Sequence, residues 1–157
     1  TQWNRTSIVH LSSASSHFCD QRYKRGPGQI WDMEEISTSD APDAIGPYSQ
    51  GIIDDGRVYV SGQGPVDPDS GDVVSEDVSE QTAQTLHNIG AILDAAGTSF
   101  ENVLQANVYV TDMDNYEEVN EVYTEFMTEP YPARAAMEIS QLPIDIEVEI
   151  EVIAKTK

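Results

Sequence analysis

"DIEVEIEVIA", Asp145 to Ala154, is the stretch from which the rest of the chain can be read. Taken two residues at a time it separates into two faces. Ile146, Val148, Ile150 and Val152 fall on one, and Glu147, Glu149, Glu151 and Ile153 on the other. That is the pattern of a strand with one face in a core. The second face sets three carboxylates in a row, about 7 Å apart along the strand. A solvated face would account for all three; a glutamate working in a site would account for one.

Working outward, other segments show the same period. "NVLQANVYVTD" places Leu104, Ala106, Val108 and Val110 against Gln105, Asn107 and Tyr109, and "ARAAMEIS" places Ala133, Ala135, Met137 and Ile139 against Arg134, Ala136 and Glu138. "IIDDGRVYV" is two short apolar runs joined by Asp54-Asp55-Gly56, a hairpin signal. Elsewhere the period is helical. Val78, Thr82, Leu86, Ile89, Leu93 and Ala96 recur at three and four, with Gly97 as a stop. Tyr116, Val119, Tyr123, Phe126 and Met127 do the same, until Pro130 and Pro132 end the run. The expected order is β-β-α-β-α-β-β, an α+β sheet with two helices on one face. The other face, carrying Gln105, Asn107, Arg134 and the glutamates, is left bare. Such a layer needs a partner, and self-association would supply it.

The chain has 157 residues, enough for one domain, with 28 acidic residues against 8 basic ones and a formal charge of −20. This surface repels phosphate backbones, which argues against a nucleic-acid partner. No apolar run approaches the length of a membrane span, so no membrane partner is expected. A charge so far from zero suits a salty cytosol, where ions screen self-repulsion; the reading is a cytoplasmic, halophilic protein. Residues 1–32 differ. They hold four basic and two acidic residues, both tryptophans and Cys19, without the apolar core of a signal peptide or a clear period. They are expected to be a non-native or flexible extension, with the domain at 33–157. That domain has no cysteine and hence no thiol chemistry.

Between Met33 and Ala154 the only cations are Arg57, beside a turn, and Arg134, inside a strand pattern. A guanidinium grips a carboxylate through two parallel hydrogen bonds. The carboxylate could be a strand glutamate or a small substrate. His87 stands alone and makes no metal site, and "DPDSGD" lacks the ligand series of a calcium loop. No metal is expected. Ser49 and Ser61 have no triad context, and "SGQG" is followed by no "GK[ST]".

Six segments in order, "APDAIGPYSQG", "VYVSGQGPVDPDSGDV", "QTLHNIGAILDAAG", "VNEVYTEF", "YPARA" and "VEIEVIA", resemble the RidA/YjgF family of enamine and imine deaminases over 37–155. The resemblance implies a chorismate-mutase-like fold, a homotrimer with clefts between subunits, and no cofactor. It also implies hydrolysis of 2-imino acids, in equilibrium with 2-enamino acids, to 2-oxo acids and ammonia. By position, the carboxylate-binding arginine falls on Arg134 and the water-activating acid on Glu149. The pocket residues fall on Tyr48, Ser61, Gly62 and Asn120. The sequence departs from the family at Ala135 and Ala136, often serine and cysteine, at Gln105, often lysine, and at Gly64, usually aliphatic. The loop 128–131 is also short. Another reading is a trimeric module that binds small carboxylates, or acts as a chaperone, without turning anything over. Some relatives are described as endoribonucleases, a role this charge opposes.

Overall fold

The structure, a computed structural model, describes residues 33–157; the expectation for 1–32 lies outside the described residues. Strand β2 (Gly51–Asp54) turns into β3 (Arg57–Gln63) through Asp55 and Gly56, both at positive φ (46° and 72°). That is the two-residue hairpin turn whose twist matches the strands, and it requires residues that tolerate the left-handed region. Helix α1 (Val78–Ala95) starts where the Asp77 carboxylate accepts from the Glu80 N–H. It stops at Gly97, φ 73°. There the Gly97 N–H bonds the Asp94 carbonyl and the Thr98 N–H bonds the Leu93 carbonyl. Strand β4 (Val103–Val110), helix α2 (Tyr116–Phe126), β5 (Ala133–Glu138) and β6 (Val148–Lys155) follow.

The α+β architecture is therefore as expected, with one addition. A short strand β1 (Glu34–Ile36) pairs antiparallel with β2 at the edge, Ile36 opposite Gly51. Three residues carry too little pattern to announce a strand. Sheet order is β1-β2-β3-β6-β4-β5, and β4 and β5 are parallel because α2 crosses between them. The chain's last strand thus lies in the middle of the sheet. Val58, Val60, Ala106, Val108, Val110, Val148, Ile150 and Val152 are buried on one face, under Leu86, Ile89, Ile92 and Leu93 of α1 and Val119 and Tyr123 of α2. At about 25 cal/mol per Å² of apolar area, this single core is the main stabilising term.

Two details of the alternation are corrected. Val103, not Leu104, enters the core; Leu104 is exposed, because the register of β4 against β6 slips between Val103 and Gln105. On β5 the faces are reversed. Arg134, Ala136 and Glu138 align with Ala106, Val108 and Val110 on the helix side, while Ala133, Ala135 and Met137 lie with Gln105, Asn107 and Tyr109 on the bare side. β5 is an edge strand, exposed along most of its length. It buries little that could fix its face by apolar pattern.

Candidate active site

Buried amides build the surroundings of Glu149. Gln50 donates through Nε2 to the carbonyls of Thr38, Ala41 and Pro42, and accepts from the Thr38 N–H through Oε1. This fixes the segment that carries Tyr48. Asn88 of α1 donates to the Gly64 and Val66 carbonyls at 3.0 and 2.8 Å. Gln81 accepts the Glu147 N–H at 2.7 Å and donates to the Ser75 carbonyl. Three loops are thus tied to one helix and one sheet. Sequence reading passed over all three residues. A buried amide among helical or strand positions looks like any polar residue until its backbone partners are known.

Tyr48, Gly62 and Glu149 come together in a hollow of about 220 Å³ whose other walls include Ile45, Ile144 and Ile146. The Tyr48 hydroxyl accepts from the Ile45 N–H at 3.3 Å. A side chain at 62 would run into the Glu149 carboxyl group, its Cβ lying 2.9 Å from Cδ. Glycine is needed there for space. A Cβ at Gly64 would stand 2.8 Å from Ile146 Cδ1, so Ile146 fills the room that a side chain at 64 would take. Glu149 is half-buried, and among the described residues no donor is bonded to its carboxylate. Burial pushes its proton affinity above that of an ordinary glutamate, and the charge of Glu151 adds to this.

Ser61 lies beside this hollow on the bare face of the sheet, near Asn107 and Glu151, and its hydroxyl donates to the Ser49 carbonyl at 2.6 Å. Here it braces the hairpin against the Tyr48 segment.

Arg134 and Asn120 meet elsewhere, in a hollow of about 500 Å³ with Tyr116, Tyr123 and Tyr131. The guanidinium donates from Nη2 to the Tyr116 hydroxyl at 2.7 Å, and its Cζ lies 4.7 Å from the centre of the Tyr123 ring. A cation over a tyrosine face is held in place without losing its remaining donors. Burial raises the proton affinity of the Tyr123 phenolate, and the arginine charge opposes this. Arg134 therefore does not share a face with the glutamates, and its partners among the described residues are tyrosines. Strand β4 also separates β5 from β6, so Arg134 and Glu149 are not on neighbouring strands. Within one chain the two groups open on opposite sides of the sheet.

His87 is exposed and packs edge-on against Phe126, ring centres 5.0 Å apart, as a surface contact. Among the described residues no cluster of His, Cys, Asp and Glu could hold a metal, and no helix is long and apolar enough to cross a membrane.

The family model for endoribonuclease L-PSP matches residues 38–156. The chain is 45% identical over 119 residues to the human 2-iminobutanoate/2-iminopropanoate deaminase, covering 76% of this chain and 87% of that protein. The crystal structure of RidA from an Antarctic Psychrobacter superposes with a TM-score of 0.75 at 41% identity, covering 78% of this chain and 98% of that one. This chain belongs to the RidA/YjgF family. Among other RidA-like structures, Escherichia coli TdcF with bound serine gives a TM-score of 0.75 at 39% identity, covering 79% of this chain and 99% of that one. The fold is thus the RidA sheet with its two helices, and the six segments that suggested it lie within the matched residues.

Proposed function

We propose that the protein hydrolyses 2-imino acids, and the 2-enamino acids in equilibrium with them, to 2-oxo acids and ammonia. The observation that carries this reading is the state of Glu149: half-buried, without a bonded donor among the described residues, and of raised proton affinity in a hollow. Such a carboxyl can both take and return a proton. Arg134 would hold the substrate carboxylate through the donors that Tyr116 leaves free, and so fix the electrophilic carbon. The Glu149 carboxylate takes a proton from water as the oxygen bonds to the carbon of the protonated imine. It returns that proton to the nitrogen, and the C–N bond breaks to release ammonia as Glu149 takes the hydroxyl proton. Glu149 then gives that proton to the departing ammonia, which leaves as ammonium. One protonated imine and one water become one 2-oxo acid and one ammonium ion, with no electron transfer and no cofactor. Tyr48, Ser61, Gly62 and Asn120 shape the walls.

Arg134 and Glu149 reach one substrate only if they come from different copies, the arginine of one and the glutamate of the next, as in a homotrimer with clefts between subunits. The bare sheet face and the exposed edge of β5 support this assembly. The charge of −20 favours a zwitterionic substrate over RNA, whatever the description of the family model. Ammonia release from imino acids generated in situ, above the spontaneous rate, tests the reaction. Co-expression of Arg134→Ala and Glu149→Gln chains tests the shared site. Activity regained in mixed assemblies is expected; mixed assemblies that stay inactive would place both groups on one copy.

A further inference from the structure

On the bare face of the sheet, Asn107 stands opposite Glu151 and Tyr109 opposite Glu149. Tyr109 does not bond its register partner. Its hydroxyl reaches diagonally and donates to Glu151 Oε1 at 3.0 Å, and Asn107 Nδ2 donates to the same oxygen at 2.8 Å. Two donors on one carboxylate oxygen fix where its charge sits. Both donors come from β4, a central strand, so the charge is anchored to the rigid part of the fold. Glu149, the neighbouring position along the same face, takes no such bond among the described residues.

Several titratable and polar groups among the described residues face Glu149. Its own strand brings Glu151, and just before that strand comes Glu147, turned away to the Thr111 hydroxyl. β4 brings Tyr109, whose own proton is held by burial and by the bond to Glu151. The loop segment brings Tyr48 and Asp43, and β3 brings Gly62 and Gln63, which are uncharged. Among the described residues no cation lines the hollow.

Given the acid–base role proposed for Glu149, we infer that Asn107, Tyr109 and Glu151 form a positioning network that holds one fixed negative charge beside Glu149 and so sets the pH at which Glu149 can exchange a proton. None of the three touches the substrate; they act through Glu149. Burial alone would make Glu149 reluctant to ionise. The fixed charge pushes the same way and, unlike a mobile surface carboxylate, is not free to swing out into solvent.

The test follows the carboxyl carbon of Glu149 by NMR in ¹³C-glutamate-labelled protein, assigned with Glu149→Gln, alongside the pH profile of kcat/KM. In Glu151→Gln the Glu149 titration and the acid limb of the profile should both move to lower pH. Tyr109→Phe removes one of the two donors that hold the Glu151 carboxylate in place, so it should move both the same way by less. Glu147→Gln, which removes a charge equally near in sequence, should move them least. A Glu149 titration unmoved in Glu151→Gln, or moved as far by Glu147→Gln, overturns the network. Should Glu151→Gln fail to fold, Tyr109→Phe carries the test, and an unmoved titration there overturns it equally. Absence of imine hydrolysis in the wild type would instead overturn the proposed reaction, while the NMR titrations would still decide the inference.

Discussion

Replacing Arg134 by lysine keeps the charge and removes the fork. The guanidinium lies 4.7 Å over Tyr123 and gives one N–H to the Tyr116 hydroxyl at 2.7 Å, so its plane is held before a substrate arrives. An ammonium is a single point with rotating donors, and it cannot repeat two parallel bonds to a carboxylate. Losing one hydrogen bond to a charged group costs about 1.5–3 kcal/mol, roughly ten- to a hundredfold in kcat/KM. Much of the loss should fall on KM, because the carboxylate is bound before and during reaction. Arg134 is exposed, so stability should stay within about 0.5 kcal/mol. Tyr116→Phe tests the same geometry from behind, since it frees the guanidinium without touching it. Its cost should be smaller than that of Arg134→Lys and should vanish in the double variant, because no fork remains to be held. The assay is loss of an imino acid generated in situ, corrected for spontaneous hydrolysis, with melting curves on each variant. A kcat/KM for Arg134→Lys within about twofold of wild type, far below the loss expected of a charged hydrogen bond, would refute carboxylate binding by Arg134. A full cost of Tyr116→Phe on top of Arg134→Lys would show that Tyr116 acts by another route.

Glu149→Gln should lower kcat by about 10²–10⁴, the usual contribution of a positioned acid–base group, with less effect on KM. The same change should raise the melting temperature at neutral pH. A carboxyl whose proton affinity is raised by folding binds protons more tightly in the folded state, so stability falls as pH rises from the ordinary glutamate value of 4.5 through the raised folded value. Glutamine removes that loss, and a melting temperature that drops instead would contradict the half-buried, unpaired carboxylate. Gly62→Ala should push the Glu149 carboxyl group aside and lower kcat while the far-UV spectrum is kept; wild-type kcat would show that the close approach is not functional. Residues 33–157 hold 26 acidic and four basic residues, and a trimer would bring three such bodies together. Melting temperature should therefore rise between about 0.01 and 1 M salt, as the screening length shrinks from about 30 to 3 Å; a flat response would remove the halophile reading.

The elements that could be read from sequence are those whose faces differ sharply in chemistry. β6 alternates isoleucine and valine with glutamate, so its buried face is unambiguous, and its position in the middle of the sheet makes burial strict. Helix α1 was legible for the same reason, and its end was marked by Gly97, which takes the left-handed conformation there. Three-residue β1 offers no repeat to detect. The slip at Val103 and Gln105 was invisible because Val103 and Leu104 are both apolar, and either could have entered the core.

The misplacement of Arg134 has a physical cause that also bears on function. In "ARAAME" alanines stand at 133, 135 and 136, and small apolar residues do not say which face is buried. The arginine was therefore assigned to the bare side. On an edge strand that assignment is unsafe, because the helix layer ends there and a long side chain can lie along its margin. Tyr116 and Tyr123 make that margin hospitable to a guanidinium. The resemblance singled out Arg134 as a residue to watch but could not say where it faces. Motif order carries residue identity, whereas the face depends on register against β4. Once that register is known, Glu149 and Arg134 fall on opposite sides of one sheet. The proposed chemistry then requires a second copy to bring the arginine of one chain to the glutamate of the next. For this reason the mixed Arg134→Ala and Glu149→Gln assembly is the decisive experiment on the site, since no single-chain arrangement predicts that two inactive variants restore each other.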